Sequence, residues 1–152
     1  MWYTLNLWVP YFNIMENTGL TKDAGYQAGV RKTIPLTLHD IWNFLFSEKG
    51  IQTWLGYYGE LKWQRNQQYT TKYGTFICIR VYKELSHVRL KYRKKQWENS
   101  STIQLRVVPS KSGTTISFHQ EKLLDAEQRN EMKLHWDKVL HQIEKELNKK
   151  VF

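Results

Sequence analysis

Between Gly74 and Glu121 the chain alternates apolar and polar side chains in four successive runs, and this restricts what it can become. On an extended strand, residues two apart share a face, so each run offers one side to a core and one to solvent. The runs are Gly74 to Tyr82, His87 to Lys94, Ser101 to Val108 and Thr114 to Glu121, the last two joined by a turn at Pro109 to Gly113. Links this short pair consecutive strands as an antiparallel meander. Two weaker strand candidates precede them, Gly59 to Trp63 and Gln67 to Thr71.

The pattern then changes period. From Asp125 to about Lys149 the apolar residues Met132, Trp136, Val139 or Leu140, Ile143 and Leu147 recur at helical spacing, with charges between them. Asp125 is suited to cap that helix, with Gln128 three positions on. Upstream, an extended segment from Tyr26 to Ile34 runs into Pro35, where helix is disfavoured for the preceding residue. Thr37 then caps a helix with the apolar stripe Leu38, Ile41, Trp42 and Leu45, and Ser47 caps a second, Glu48 to Leu55, ended by Gly56. The order is strand, two short helices, five or six strands, one long helix. It is an α+β arrangement: a curved antiparallel sheet of about six to seven strands around the C-terminal helix.

The 152 residues suit a single domain, taken as 16–152. Residues 1–15 differ from the rest: they hold Trp2, Tyr3, Trp8, Tyr11 and Phe12 and no charge. They read as an appended strand or helix that docks on the domain, as sequence ahead of a natural start at Met15, or as the remnant of an upstream region. Pro10 interrupts the segment, and it lacks the basic start and cleavage site of a signal peptide. No apolar run reaches the roughly 20 residues of a membrane span. The lone Cys78 can form no intramolecular disulfide, which fits a reducing compartment, and the chain is read as cytoplasmic.

Specific segments carry a resemblance. Val30-Arg31-Lys32-Thr33-Ile34-Pro35, then Ile41-Trp42, then Gly50-Ile51-Gln52-Thr53-Trp54-Leu55-Gly56 resemble the opening of the activator of Hsp 90 ATPase homologue-like family. Gly113-Thr114-Thr115 with Phe118-His119-Gln120-Glu121 resembles its glycine-threonine turn and last strand, and Trp136 with Leu140 its closing helix. The resemblance runs from about Leu20 to Leu147. It implies the helix-grip fold of the START-like (birch-pollen-allergen-like, SRPBCC) superfamily. It also implies a cavity between sheet and helix that holds a hydrophobic ligand, as superfamily members do, a few of them with catalysis. The family's namesake stimulates a chaperone ATPase, which adds a chaperone-associated protein partner as an alternative.

Aromatic residues make up 14% of the chain, enough to fill a core or line a pocket. The expected lining is Trp42, Trp54, Trp63, Tyr92 and Trp136, set against plain core packing. Phe76 and Arg80 join it if the Phe76, Cys78, Arg80, Tyr82 face turns inward. Arg80 would then need an anionic partner such as a ligand carboxylate. In the other arrangement Ile77, Ile79 and Val81 face the core and Arg80 meets water, which β-branched residues favour. Trp97, in the polar turn Gln96 to Ser100, is expected to be exposed.

The formal charge is +9, and Arg89, Lys91, Arg93 and Lys95 alternate along one strand opposite Val88, Leu90 and Tyr92. This basic face reads as the solvated side of a half-buried strand or as a site for an acidic partner. Nucleic acid is disfavoured, because the interleaved Tyr92 points the other way. No metal or cofactor is expected, since the five histidines lack ligand spacing. Cys78, mid-strand among apolar neighbours, reads as a structural thiol. No nucleophile motif or phosphate loop occurs, so a binding protein is favoured over a cavity enzyme of cyclase or hydrolase type.

Overall fold

A computed structural model describes residues 20–21 and 25–151 of the chain, and the side chains of 25–149. The elements are β1 (Leu20–Thr21), β2 (Gly25–Ile34), α1 (Leu38–Leu45), α2 (Glu48–Leu55), β3 (Gln68–Thr70), β4 (Phe76–Lys83), β5 (His87–Arg93), β6 (Ser101–Ser110), β7 (Gly113–Leu123) and α3 (Ala126–Val151). The strands form one antiparallel sheet in the order β1-β2-β7-β6-β5-β4-β3. The first long strand therefore pairs with the last, while β3 to β7 follow as the meander. The helix-grip α+β architecture is thus present, and the expected segment 1–15 lies outside the described residues.

The helix ends are set by the residues expected to set them. Thr37 Oγ1 accepts from Asp40 N at 3.1 Å, Ser47 Oγ from Gly50 N at 3.1 Å, and Asp125 Oδ1 from Gln128 N at 2.8 Å. Gly56 ends α2 in the left-handed region, φ 67°. Gly50 serves a different purpose: a Cβ there would lie 1.8 Å from the Phe44 carbonyl oxygen, so α1 and α2 meet only because it has none.

The inner face of the sheet, towards the helices, is apolar in cross-strand rows. Ile79, Leu90 and Ile103 form one; Val88, Leu105, Phe118 and Val30 another. From α3, Met132, Trp136, Val139, Leu140, Ile143 and Leu147 close over it, none more than 6% exposed. On transfer values of about 25 cal/mol per Å², this burial is the main term holding the fold.

Three expectations are corrected. Residues 59–63 are not a strand: the sheet ends at β3, and the segment is held instead by the Tyr69 hydroxyl, 2.7 Å from Lys62 N. Within β4 the alternation breaks at Arg80, because Ile79 pairs with Leu90 and Val81 already pairs with Arg89. This bulge flips every later side chain. Ile77, Ile79 and then Tyr82 face inward, while Phe76, Cys78 and Val81 face out. Trp97 is buried, packed edge-on against Tyr92 at 5.9 Å, with its backbone amide bonded to the Lys94 carbonyl.

Candidate functional site

Under the middle of α3 the sheet is covered by packed side chains. Trp136 stacks on Phe118 at 4.5 Å and 11°, and Trp54 lies 6.0 Å from the same ring. A polar chain fixes this stack: Trp136 Nε1 donates to Gln120 Oε1 at 2.8 Å, Gln120 Nε2 to Ser101 Oγ at 2.8 Å, and Ser101 Oγ to the Tyr92 carbonyl at 2.9 Å. All four residues are buried. Because every group has its partner, the network specifies one packing and leaves no polar atom to greet a ligand. Around Phe118 the protein's own side chains therefore take the place expected for a ligand, and a groove of about 460 Å³ is left at the margin, between Val30 to Lys32 and Lys133 to His141.

An opening lies instead at the end of α1 and α2. A groove of about 450 Å³ runs between them and the loop after α2, lined by Phe46, Glu48, Ile51, Glu60, Leu61 and Trp63. Its back wall is an aromatic cluster. Phe46 stacks on Trp42 at 4.3 Å and meets Trp63 edge-on at 4.8 Å, and Tyr82 lies 5.6 Å from both Phe46 and Trp63. Trp54, stacked 6.2 Å behind Trp63, donates its Nε1 proton to the Leu45 carbonyl at 2.8 Å. Trp42 and Trp54 are buried, whereas Phe46, Trp63 and Tyr82 keep an exposed edge.

The expected lining residues thus separate. Trp63 borders the groove, with Trp42 and Trp54 buried behind it. Trp136 stands deeper, joined to them only through Phe118 and Trp54. Tyr92 belongs to another end of the core with Trp97; burial first, and Glu131 second, push its hydroxyl pKa well up. Phe76 and Arg80 are not in the lining. Arg80 is exposed, and its guanidinium bonds Asn66 Oδ1 at 3.0 Å.

Phe46 was missed from the sequence, and Tyr82 was grouped with the Phe76, Cys78 and Arg80 face. Phe46 continues the α1 stripe four residues beyond Trp42, a signal that was available. Tyr82 turns inward only through the bulge, which no local pattern announces.

Arg89, Lys91 and Arg93 stand on the outer face of β5, while Lys95 lies past its end against Gly74. Cys78 is buried. Among the described residues no three His, Cys, Asp or Glu side chains cluster as metal ligands. Ser86 Oγ and His87 Nδ1 are 2.8 Å apart. Burial and the cations Arg106, Lys83 and Arg89 lower the His87 pKa, which disfavours the imidazolium a general base must become.

Residues 35–148 match the model of the family described as activator of Hsp90 ATPase homolog 1-like protein. The chain belongs to this family. Solved structures share its fold. DynU16, a protein in the dynemicin biosynthetic locus, aligns with a TM-score of 0.70 at 9% identity over 80% of this chain, which spans about half, 47%, of DynU16. MLL2253 from Mesorhizobium loti gives 0.67 at 15% identity, covering 81% of this chain and 97% of that one. PFC0360w, an HSP90 activator from Plasmodium falciparum, gives 0.66 at 12% identity, covering 80% and 96%. At such identities the likeness is one of fold. No curated protein matches the chain.

Proposed function

We propose that this protein binds a small hydrophobic ligand, without catalysis, in the groove between α2 and the loop that carries Leu61 and Trp63. The observation that carries this reading is the half-open aromatic wall. Phe46 and Trp63, backed by Tyr82, leave ring edges uncovered beside a groove of about 450 Å³, a size suited to a small molecule. Rings already held by one another lose little freedom when a ligand covers them. Glu48 and Glu60 on the rim disfavour an acid, so the ligand is neutral or cationic. Among the described residues no helix is long and apolar enough to cross a membrane, and one buried thiol suits a reducing cytoplasm.

The likeness to an HSP90 activator is a likeness of fold and carries no chaperone activity here. The test is native mass spectrometry of protein purified without detergent, followed by titration with an apolar fluorescent dye. A bound apolar molecule, or dye binding lost on Trp63→Ala, is the expected result. A protein that is empty and also takes up no dye overturns the reading.

A further inference from the structure

The outer face of the sheet, away from all three helices, has a different chemistry. Register puts Arg31 of β2, Lys83 of β4, Arg89, Lys91 and Arg93 of β5, and Arg106 of β6 on this side. Among the described outward strand positions the only carboxylate is Glu121, on β7. The four ion pairs among the described residues, of Lys32, Lys94, Lys133 and Lys149, all end on α3, and none uses these six cations. With these ion pairs gathered at α3, the outer sheet face stays cationic, and its natural complement is negative.

The layout favours one kind of complement. Along β5 the cations recur every second residue, about 7 Å apart. An extended polypeptide with acidic residues at alternate positions has the same repeat. Arg31 and Arg106 flank Ser117 from the two neighbouring strands. Beside them the absent side chain of Gly29 leaves a depression of about 260 Å³ that also touches Arg31, Ser117 and His119. The Arg31 guanidinium at its edge suits a carboxylate, with Arg106 one strand further on. Among the described outward strand positions no ring is fully exposed for base stacking, Phe76 being half-buried and Tyr92 turned inward, so single-stranded nucleic acid fits the face poorly. The field is felt at His87, whose pKa is lowered by burial and then by Arg106, Lys83 and Arg89.

We propose that the outer sheet face centred on Arg89, Lys91 and Arg93 docks an extended acidic segment of a partner protein. The surface lies across the sheet from the ligand groove, and the proposal stands or falls independently of it.

The probe is a fluorescein-labelled peptide of alternating Glu and Ser, followed by anisotropy at low and physiological salt. Binding is expected to weaken with salt. It should fall at least about tenfold in Arg89→Glu/Lys91→Glu/Arg93→Glu, with the neutral Gln triple in between. The matched reversal Lys138→Glu/Lys145→Glu/Lys133→Glu on α3 should have little effect. The His87 titration, read by NMR, should move to higher pH when the peptide neutralises its surroundings. Equal losses in the α3 control mean net charge alone is at work, which overturns the site. So does failure to bind the peptide, or tighter competition by an oligonucleotide or by phosphatidylserine vesicles of equal charge.

Discussion

Two groups of aromatic side chains occupy this protein, and they differ in what covers their second face. Around Phe118 the rings of Trp136 and Trp54 are enclosed on all sides, and the polar edges of both tryptophans are spent on Gln120 and on the Leu45 carbonyl. Around Phe46 the rings touch one another at similar distances, yet Phe46 and Trp63 end at an open groove. The same residue types make core in one place and a receptive wall in the other. Aromatic content therefore says how much apolar surface must be covered, while the position of the loop after α2 decides what is left uncovered.

The strongest way to break this contrast is Trp136→Ala. Removing a fully buried indole costs about 3–5 kcal/mol, and here it also orphans the Gln120 amide oxygen. Chemical denaturation should show a loss of that order with dye binding at the groove retained in the folded fraction. A loss under about 1 kcal/mol would mean the interior has slack, and the cavity between sheet and α3 would return as a candidate.

The closed region also predicts a pH dependence. His135 packs edge-on to Trp136 at 4.7 Å, and burial first, then Lys94, hold its pKa down to about 4 from an ordinary 6.5, with Glu131 opposing and Lys138 assisting. The unfolded chain therefore takes the proton before the folded one does. Stability is full above pH 6.5, declines as pH falls towards 4 and then levels off, by at most about 3 kcal/mol. His135→Gln should flatten that part of the stability–pH curve. An unchanged slope would assign the acid sensitivity to other groups.

Much of the frame was legible in the chain. Period-two runs, the caps Thr37, Ser47 and Asp125, and the α3 stripe are local signals, and each appears where its chemistry puts it. The site was harder to read because it depends on two non-local events. The bulge at Arg80 swaps Tyr82 for Val81 on the inner face, and that slip is visible only against the partner strand. Trp97 follows a polar turn but folds back onto Tyr92, so tertiary packing overrides its neighbours. Whether Trp136 lines a cavity or fills one depended on Gln120, sixteen residues away and on another element.

Trp63→Ala tests the open region from the other side. The residue is half-buried, so stability should drop by only about 1–2 kcal/mol, well below the Trp136 variant. Affinity for an apolar dye should nevertheless fall about tenfold or more, since the ring forms the groove's wall. Reversed ranks, with Trp63 costly for stability and silent for binding, would make the two aromatic groups equivalent and remove the basis for a site.

The smallest effect is expected from Arg80→Met. Its side chain leaves the sheet at the bulge, is exposed, and donates one solvent-screened hydrogen bond to the Asn66 amide oxygen. An exposed contact of this kind is worth about 0.5 kcal/mol or less, and the guanidinium does not border the groove. Stability should therefore change little, and isothermal titration with neutral or cationic apolar ligands should give wild-type affinities. Acidic ligands should bind weakly to both proteins, because Glu48 and Glu60 stand at the rim. If an apolar acid instead binds the wild type well and loses affinity in Arg80→Met, the cation is in the site. The inner and outer faces of β4 would then be the reverse of those the bulge dictates.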